Sequence, residues 1–195
     1  MADSISMHYG PYLEAHVASW CDYSRKTETI GAIKNVEGSN GQDSSMVLTY
    51  LGRCQSQQMR WGILLLNCGL WDIRDRNGSR QVPILQYKTN LERLFILAAD
   101  IGDQIVWIRT TPVDDARHNA IKNDYKRHDS DVQAYNAIAD TIARGHGARI
   151  IDLYQFCKDI RDEPLYADHI HFTNNVRKLQ GAFIAGYLAA AFMAA

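Results

Sequence analysis

The sequence predicts an α/β protein in which a parallel sheet lies between two layers of helices. Two continuous apolar runs, "WGILLLN" and "QIVWIRT", are typical of strands that are buried on both faces. Segments with apolar residues at helical spacing follow these runs, and strands that alternate with helices form parallel sheets. The chain has 195 residues, of which 46% are hydrophobic, so we expect one domain over residues 1–195 with a sizeable core.

The first part of the chain predicts two helices and one strand. The segment "PYLEAHVASWC" indicates a helix with proline in its first turn, and "TIGAIKNVEG" is typical of a short strand that runs into a loop. Asp43 or Ser44 is expected to cap the helix "SMVLTYLGRC", because a short polar side chain accepts a hydrogen bond from the free N–H groups of a first helical turn.

The remainder of the chain alternates strands with helices. In chain order, the predicted elements are the strand "WGILLLN", a helix from Val82 to Ala99, the strand "QIVWIRT", the helix "DVQAYNAIADTIARGHG", the short strand "ARIIDL" and a helix from Asn174 to the end. The segments "DIRDRNGSRQ" and "TPVDDARHNAIKNDYKRHDS" are polar and predict loops.

Composition excludes several classes of function. The formal net charge is -1, so no basic excess indicates a nucleic acid partner. No apolar stretch reaches about 18 residues, so no membrane span is expected. The cysteines form no CxxC pair, which argues against a zinc site and a disulfide framework. No signal peptide is present in the chain as written, which predicts a cytoplasmic protein unless the gene starts upstream. The four cysteines are Cys21, Cys54, Cys68 and Cys157.

Candidate catalytic residues lie at both ends of the chain. The segment "LYADHIHFTNN" places Asp168 and His171 three residues apart. A serine nucleophile needs a base within hydrogen-bond reach, and the base needs an anion that fixes its tautomer. Ser4 in the opening "MADSIS" supplies a hydroxyl, so these three residues are a candidate triad. The spacing leaves open a metal site formed by Asp168, His169 and His171.

Eight short segments follow one another along nearly the whole chain: "ADSISMHYGPYL", "NGQDSS", "LLNCGLWDI", "YKTNLERL", "WIRTTPV", "YNAIA", "IDLY" and "ADHIHFT". Together they resemble the SGNH/GDSL hydrolase superfamily, particularly its acetylesterase-like branch. The resemblance implies a flavodoxin-like three-layer α/β/α fold and a serine esterase that uses no metal and no cofactor. By position, it implies Ser4 as the nucleophile, His171 as the general base and Asp168 as the carboxylate that orients His171. It also implies small-molecule or carbohydrate ester substrates with short acyl groups, often acetyl.

Three positions depart from the pattern of that superfamily. Ala2 stands where the superfamily has the glycine of G-D-S, and Gln42 stands where it has a glycine that donates to the oxyanion. Trp71 replaces the asparagine of G-x-N-D. We therefore expect the oxyanion hole to use the backbone N–H groups of Ser4, Gly41 and Gln42. Either the side chain of Asn67 or that of Trp71 is expected to complete it, and Trp71 is also expected to face the substrate. The departures also motivate an alternative, a catalytically weakened domain that binds a glycan or a partner protein.

The superfamily's first strand precedes the nucleophile, but here only Met1, Ala2 and Asp3 do so. A parallel sheet without its central strand would leave many backbone groups unpaired. We therefore expect the gene to encode a strand upstream of Met1. Such an upstream segment could also contain a signal peptide. The oligomeric state does not follow from the sequence.

Overall fold

The computed structural model describes residues 2–26, 40–162 and 164–193. The helices are α1 (Ser4–Val17), α2 (Ser44–Ser56), α3 (Ile84–Ile101), α4 (Asp115–Ile121), α5 (Asp129–Gly145), α6 (Leu153–Asp159) and α7 (Asn174–Phe192). The strands are β1 (Trp61–Leu66), β2 (Asp75–Arg76), β3 (Ser79–Arg80), β4 (Gly102–Ile108) and β5 (Arg149–Ile151).

Three of these strands form a parallel sheet in the order β1–β4–β5. Leu64 of β1 pairs with Ile105 of β4, and Ile108 of β4 pairs with Ile151 of β5. Because the strands are parallel, their carboxyl ends meet at one edge of the sheet, where ligands of such folds bind. The other two strands, β2 and β3, form a small antiparallel hairpin in the loop after β1.

The helices cover the sheet in two groups. Helix α1 packs against α7, which also contacts α6, while α2 packs against α3, which also contacts α5. Between the layers, Leu66 of β1 and Trp107 of β4 are fully buried. This arrangement confirms the predicted three-layer α/β/α architecture. No helix in the described ranges is long and apolar enough to cross a membrane.

The first helix begins at Ser4 and not at Pro11, so the predicted start was wrong. The Asp3 side chain accepts a hydrogen bond from the Ile5 N–H and caps the helix there. Pro11 consequently lies inside α1 at an exposed position, where it lacks the N–H that would bond to a carbonyl of the preceding turn. The cap of α2 is Asp43, one of the two predicted residues.

The two segments predicted as polar loops contain further structure. The first folds into the β2–β3 hairpin and the second contains α4, while α6 also was not predicted. These elements are short, so their apolar periodicity is too weak to stand out in a sequence. The predicted strand "TIGAIKNVEG" lies outside the described residues. Ala2 and Asp3 are the described residues before α1, and the strand expected upstream of Met1 stays a prediction.

Candidate active site

Ser4 is the first residue of α1, at the turn that Asp3 caps. The Asp3 carboxylate is 3% exposed, and Ser6 Oγ donates to the Asp3 carbonyl at 2.7 Å. Burial raises the pKa of Asp3, while the Ile5 N–H and the positive charge of Arg127 oppose that rise. Asp3 therefore acts as the cap of α1, and this cap fixes the position of Ser4 beside the sheet edge.

Asp168 and His171 lie on one short loop between α6 and α7. Asp168 Oδ1 accepts from the backbone N–H groups of Ile170 (2.8 Å) and His171 (2.7 Å). Its other oxygen, Oδ2, lies 2.7 Å from His171 Nδ1. Partial burial raises the pKa of Asp168, but the two N–H groups and the imidazole outweigh it and hold the pKa well below its usual range.

The fold brings Ser4 to this loop across nearly the whole chain. Ser4 Oγ lies 3.0 Å from His171 Nε2. Because the ionised Asp168 accepts from Nδ1–H, Nε2 is the unprotonated nitrogen and accepts from the serine hydroxyl. Ser4, His171 and Asp168 therefore form a continuous hydrogen-bonded chain, the arrangement that activates a serine nucleophile.

Helix α4 holds the Asp168–His171 loop from outside. Arg117 Nε donates to the Asp168 carbonyl at 2.6 Å, and His118 Nδ1 lies 3.0 Å from His169 Nδ1. Burial, together with the nearby charge of Arg127, lowers the pKa of His118 to about 4. His118 therefore stays neutral near pH 7. Sequence analysis did not single out these contacts, because α4 is far from the loop in the chain.

His8 also belongs to the site and was missed by the sequence. It lies one helical turn after Ser4, and its ring packs edge-on against the His171 ring with 4.7 Å between centroids. Burial, with the charges of Arg177 and His171, lowers the pKa of His8 to about 4. A neutral ring thus packs on His171 at neutral pH. The only signal in the sequence was the i, i+4 spacing of His8 from Ser4, and residues at this spacing are neighbours in every helix.

Gly41 and Gln42 pack against the turn before α1. The Gly41 N–H donates to the Ala2 carbonyl at 2.9 Å, and a Cβ at Gly41 would lie 2.8 Å from that oxygen. Gln42 has a φ of 59°, the left-handed conformation that glycine adopts more readily. Its N–H donates to Asn40 Oδ1 at 2.9 Å.

Asn67 ties the loop after β1 to the loop after β4. Its Nδ2 group donates to the Ile108 carbonyl (2.9 Å) and to Thr110 Oγ1 (3.2 Å). Thr110 Oγ1 in turn donates to the Cys68 carbonyl, and a Cβ at Gly69, which has a φ of 144°, would lie 2.5 Å from Thr110 Oγ1. Both amide hydrogens of Asn67 therefore have acceptors within the fold, which favours a structural role over oxyanion binding.

We expect Asn67→Ala to lower the free energy of unfolding while leaving kcat nearly unchanged. The change leaves the buried Ile108 carbonyl without this donor, at a cost of about 1–3 kcal/mol. Thermal unfolding measures this loss, and steady-state kinetics measures kcat. A kcat that falls about 10²-fold at unchanged thermal midpoint would instead assign Asn67 to the oxyanion hole.

Trp71 and Asp72 have different surroundings. Asp72 is fully buried, and both of its carboxylate oxygens accept from the Ser44 N–H at the start of α2. Burial raises the pKa of Asp72 to about 7, against the hydrogen bonds from Ser44. Trp71 is partly exposed, and the Arg74 guanidinium lies 3.3 Å from the centre of its ring system.

The side chains of the alternative metal site, Asp168, His169 and His171, are not arranged to bind an ion together. His169 Nδ1 bonds to His118, while Asp168 and His171 bond to each other. In the described part of the chain, no group of three or more histidine, cysteine, aspartate or glutamate side chains is arranged to hold an ion. The four cysteines, three of them buried, are unpaired.

The parallel three-layer fold and the Ser–His–Asp arrangement at its sheet edge are those of a serine ester hydrolase. The family model of the GDSL-like lipase/acylhydrolase family matches residues 3–177. The chain belongs to this family, which confirms the resemblance inferred from the sequence. Among curated proteins, none matches the sequence.

Solved structures of similar fold cover nearly all of the chain. A lipase/acylhydrolase from Enterococcus faecalis has a TM-score of 0.67 at 19% identity, covering 97% of this chain and 93% of its own. A carbohydrate acetylesterase from Sinorhizobium meliloti has a TM-score of 0.64 at 10% identity, with coverages of 98% and 89%. An acetylxylan esterase from Geobacillus stearothermophilus has a TM-score of 0.60 at 12% identity, with coverages of 94% and 80%.

Proposed function

We propose that this esterase hydrolyses short-acyl esters, with acetyl esters of carbohydrates as the substrate class, and that Ser4, His171 and Asp168 are its catalytic residues. The observation that carries the proposal is the hydrogen-bonded chain from Ser4 Oγ through His171 to Asp168. The acetyl specificity is supported by two structural neighbours, the carbohydrate acetylesterase and the acetylxylan esterase.

In the first step, His171 Nε2 takes the Ser4 proton as Oγ attacks the ester carbonyl. The imidazole becomes positively charged, and the ionised Asp168 stabilises that charge through the Nδ1–H bond. When the tetrahedral intermediate collapses, His171 donates the proton to the departing alkoxide. Water then attacks the acyl-serine with His171 again as the base, and the acid and free Ser4 are regenerated.

The oxyanion of the intermediate needs N–H donors about 3 Å away. The Ser4 N–H is one donor in this proposal, because the first N–H groups of a helix have no acceptor within the helix. Gly41 and Gln42 are the others. Their N–H groups already donate to the Ala2 carbonyl and to Asn40 Oδ1. They can donate to the oxyanion only if these two hydrogen bonds break when the substrate binds.

An active-site label tests the proposal directly. We expect a fluorophosphonate to modify the wild-type protein at Ser4, with a stoichiometry that follows the loss of p-nitrophenyl acetate hydrolysis. Peptide mass spectrometry identifies the labelled residue, and acetate release from acetylated xylan measures the carbohydrate activity. A protein that binds acetylated glycan but takes up no label would support the weakened binding domain instead.

A further inference from the structure

Two hydrogen bonds hold the nitrogen atoms of the His171 ring. Its Nδ1 is bonded to Asp168, and its Nε2 accepts from the Ser4 hydroxyl. Rotation of a histidine ring about its Cβ–Cγ bond is otherwise only weakly restricted, because this torsion has broad minima. The orientation of the base therefore depends on these two hydrogen bonds and on the side chains that pack against the ring.

The hydrogen bond from Ser4 is lost halfway through the proposed reaction. Once Ser4 Oγ carries the acyl group it has no proton to donate, and the unprotonated Nε2 of His171 has none to donate in return. His171 must nevertheless stay in place in this acyl-enzyme, because it next takes a proton from the attacking water. At this stage the base is held by Asp168 and by the packing against its ring.

His8 supplies packing against the His171 ring. The two ring centroids are 4.7 Å apart and the ring planes make an angle of 63°, an edge-to-face arrangement that aromatic pairs favour. The His169 ring lies further away, with 6.3 Å between centroids, and its Nδ1 is bonded to His118. Of these two neighbouring rings, His8 is therefore the one in close contact with the base.

The state of the His8 ring suits packing better than proton transfer. Its Nδ1 is buried and has no hydrogen-bond partner in the described residues. Burial, with the positive charges of Arg177 and His171, lowers the pKa of His8 to about 4, so the ring is neutral near pH 7. A neutral ring does not repel the imidazolium that His171 forms in each step of the reaction.

The fold fixes the helix that carries His8 beside the His171 loop. Helix α1 packs against α7, which begins three residues after His171. Tyr12 Oη donates to Asn174 Oδ1 at 2.6 Å, which joins α1 to the first residue of α7. The two helices approach so closely that a Cβ at Gly181 would lie 2.8 Å from Tyr12 Cβ. The distance between His8 and His171 is consequently set before any substrate binds.

We propose that His8 is a positioning residue that keeps His171 in place for deacylation, the step in which the Ser4 hydroxyl no longer holds the base. The proposal rests on the esterase function. In deacylation, the water oxygen bonds to the acyl carbon while His171 Nε2 takes a proton from the water. The bond between that carbon and Ser4 Oγ then breaks, and Oγ takes the proton from His171. A displaced imidazole slows this step more than acylation, in which the Ser4 hydroxyl helps to orient it.

Stopped-flow kinetics of His8→Ala with p-nitrophenyl acetate is the first test. The initial burst of p-nitrophenol reports acylation, and the steady rate that follows reports deacylation. We expect the deacylation rate to fall about 10-fold or more, with a much smaller change in the acylation rate. Acetylated Ser4 then accumulates, and mass spectrometry of the acid-quenched protein detects it. The variant is expected to fold, because alanine favours helices and the His8 side chain is only half-buried.

Two further variants separate packing from other roles of His8. His8→Phe keeps a neutral ring without its nitrogen atoms, so it is expected to recover most of the deacylation rate that His8→Ala loses. His16 is exposed near the end of the same helix, and His16→Ala is expected to match the wild type in both rates. The proposal would be overturned by wild-type deacylation in His8→Ala, by an equal fall of both rates, or by a His8→Phe protein as slow as His8→Ala.

A measurement without turnover separates this proposal from the esterase function. The Ser4→Ala protein lacks the serine hydroxyl, as the acyl-enzyme does, and proton NMR follows its His171 Nδ1–H in the bond to Asp168. We expect this resonance to broaden through faster exchange with water when His8→Ala is added, and to persist when His8→Phe is added. This pattern in a protein without esterase activity would contradict only the proposed function. A resonance already absent from Ser4→Ala, or unchanged by His8→Ala, would contradict the positioning role.

Discussion

Ser4→Ala and His171→Ala are each expected to lower kcat for acetyl ester hydrolysis by roughly 10³-fold or more. Ser4→Ala removes the nucleophilic oxygen, and His171→Ala removes the base that lies 3.0 Å from it. Because the two residues act in one step, the double variant is expected to be about as impaired as either single variant. Steady-state kinetics with p-nitrophenyl acetate gives the values, and Asp168→Asn is expected to cost no more than these two.

Two exposed residues are matched controls. Ser56 is an exposed serine near the end of α2 and His16 an exposed histidine near the end of α1, and their alanine variants are expected to keep wild-type kcat. Near-normal turnover by Ser4→Ala would exclude the serine mechanism.

Arg109→Met is expected to reduce the free energy of unfolding by about 3 kcal/mol and the thermal midpoint by roughly 10 °C. Arg109 follows β4 and binds Asp140 of α5 as well as Asp152, which caps α6. The Asp140 side chain is only 4% exposed, so the variant leaves a buried charge whose other cation, Arg144, is largely solvent-exposed. Chemical and thermal denaturation measure the loss.

Arg60→Met is the control for this second prediction. Its ion pair with Asp103 has side chains 67% and 62% exposed, and exposed pairs contribute about 0–1 kcal/mol. Adding Asp140→Asn to Arg109→Met is expected to restore part of the lost stability, because it removes the unpaired buried charge. Equal free energies of unfolding for Arg109→Met and Arg60→Met would show that burial does not determine how much these ion pairs stabilise the protein.

The sequence by itself determined the features that depend on neighbours in the chain. The apolar runs predicted β1 and β4, and helical spacing predicted α3. A helix that ends at glycine was predicted where α5 lies, and Asp43 or Ser44 was predicted to begin α2. Asp168 and His171 could be paired from the sequence because three residues of one loop suffice to bring them together. Such features require only local hydrogen bonds and periodicity, which a short window contains.

Only the tertiary structure decided which distant groups meet. Ser4 and His171 are separated by 167 positions, and nothing in the spacing of the chain fixes their 3.0 Å contact. The same holds for the bond between His118 and His169 and for the stacking of Arg74 on Tyr125. These contacts arise where the carboxyl ends of parallel strands gather loops from separate parts of the chain at one edge, so their geometry depends on how whole elements pack.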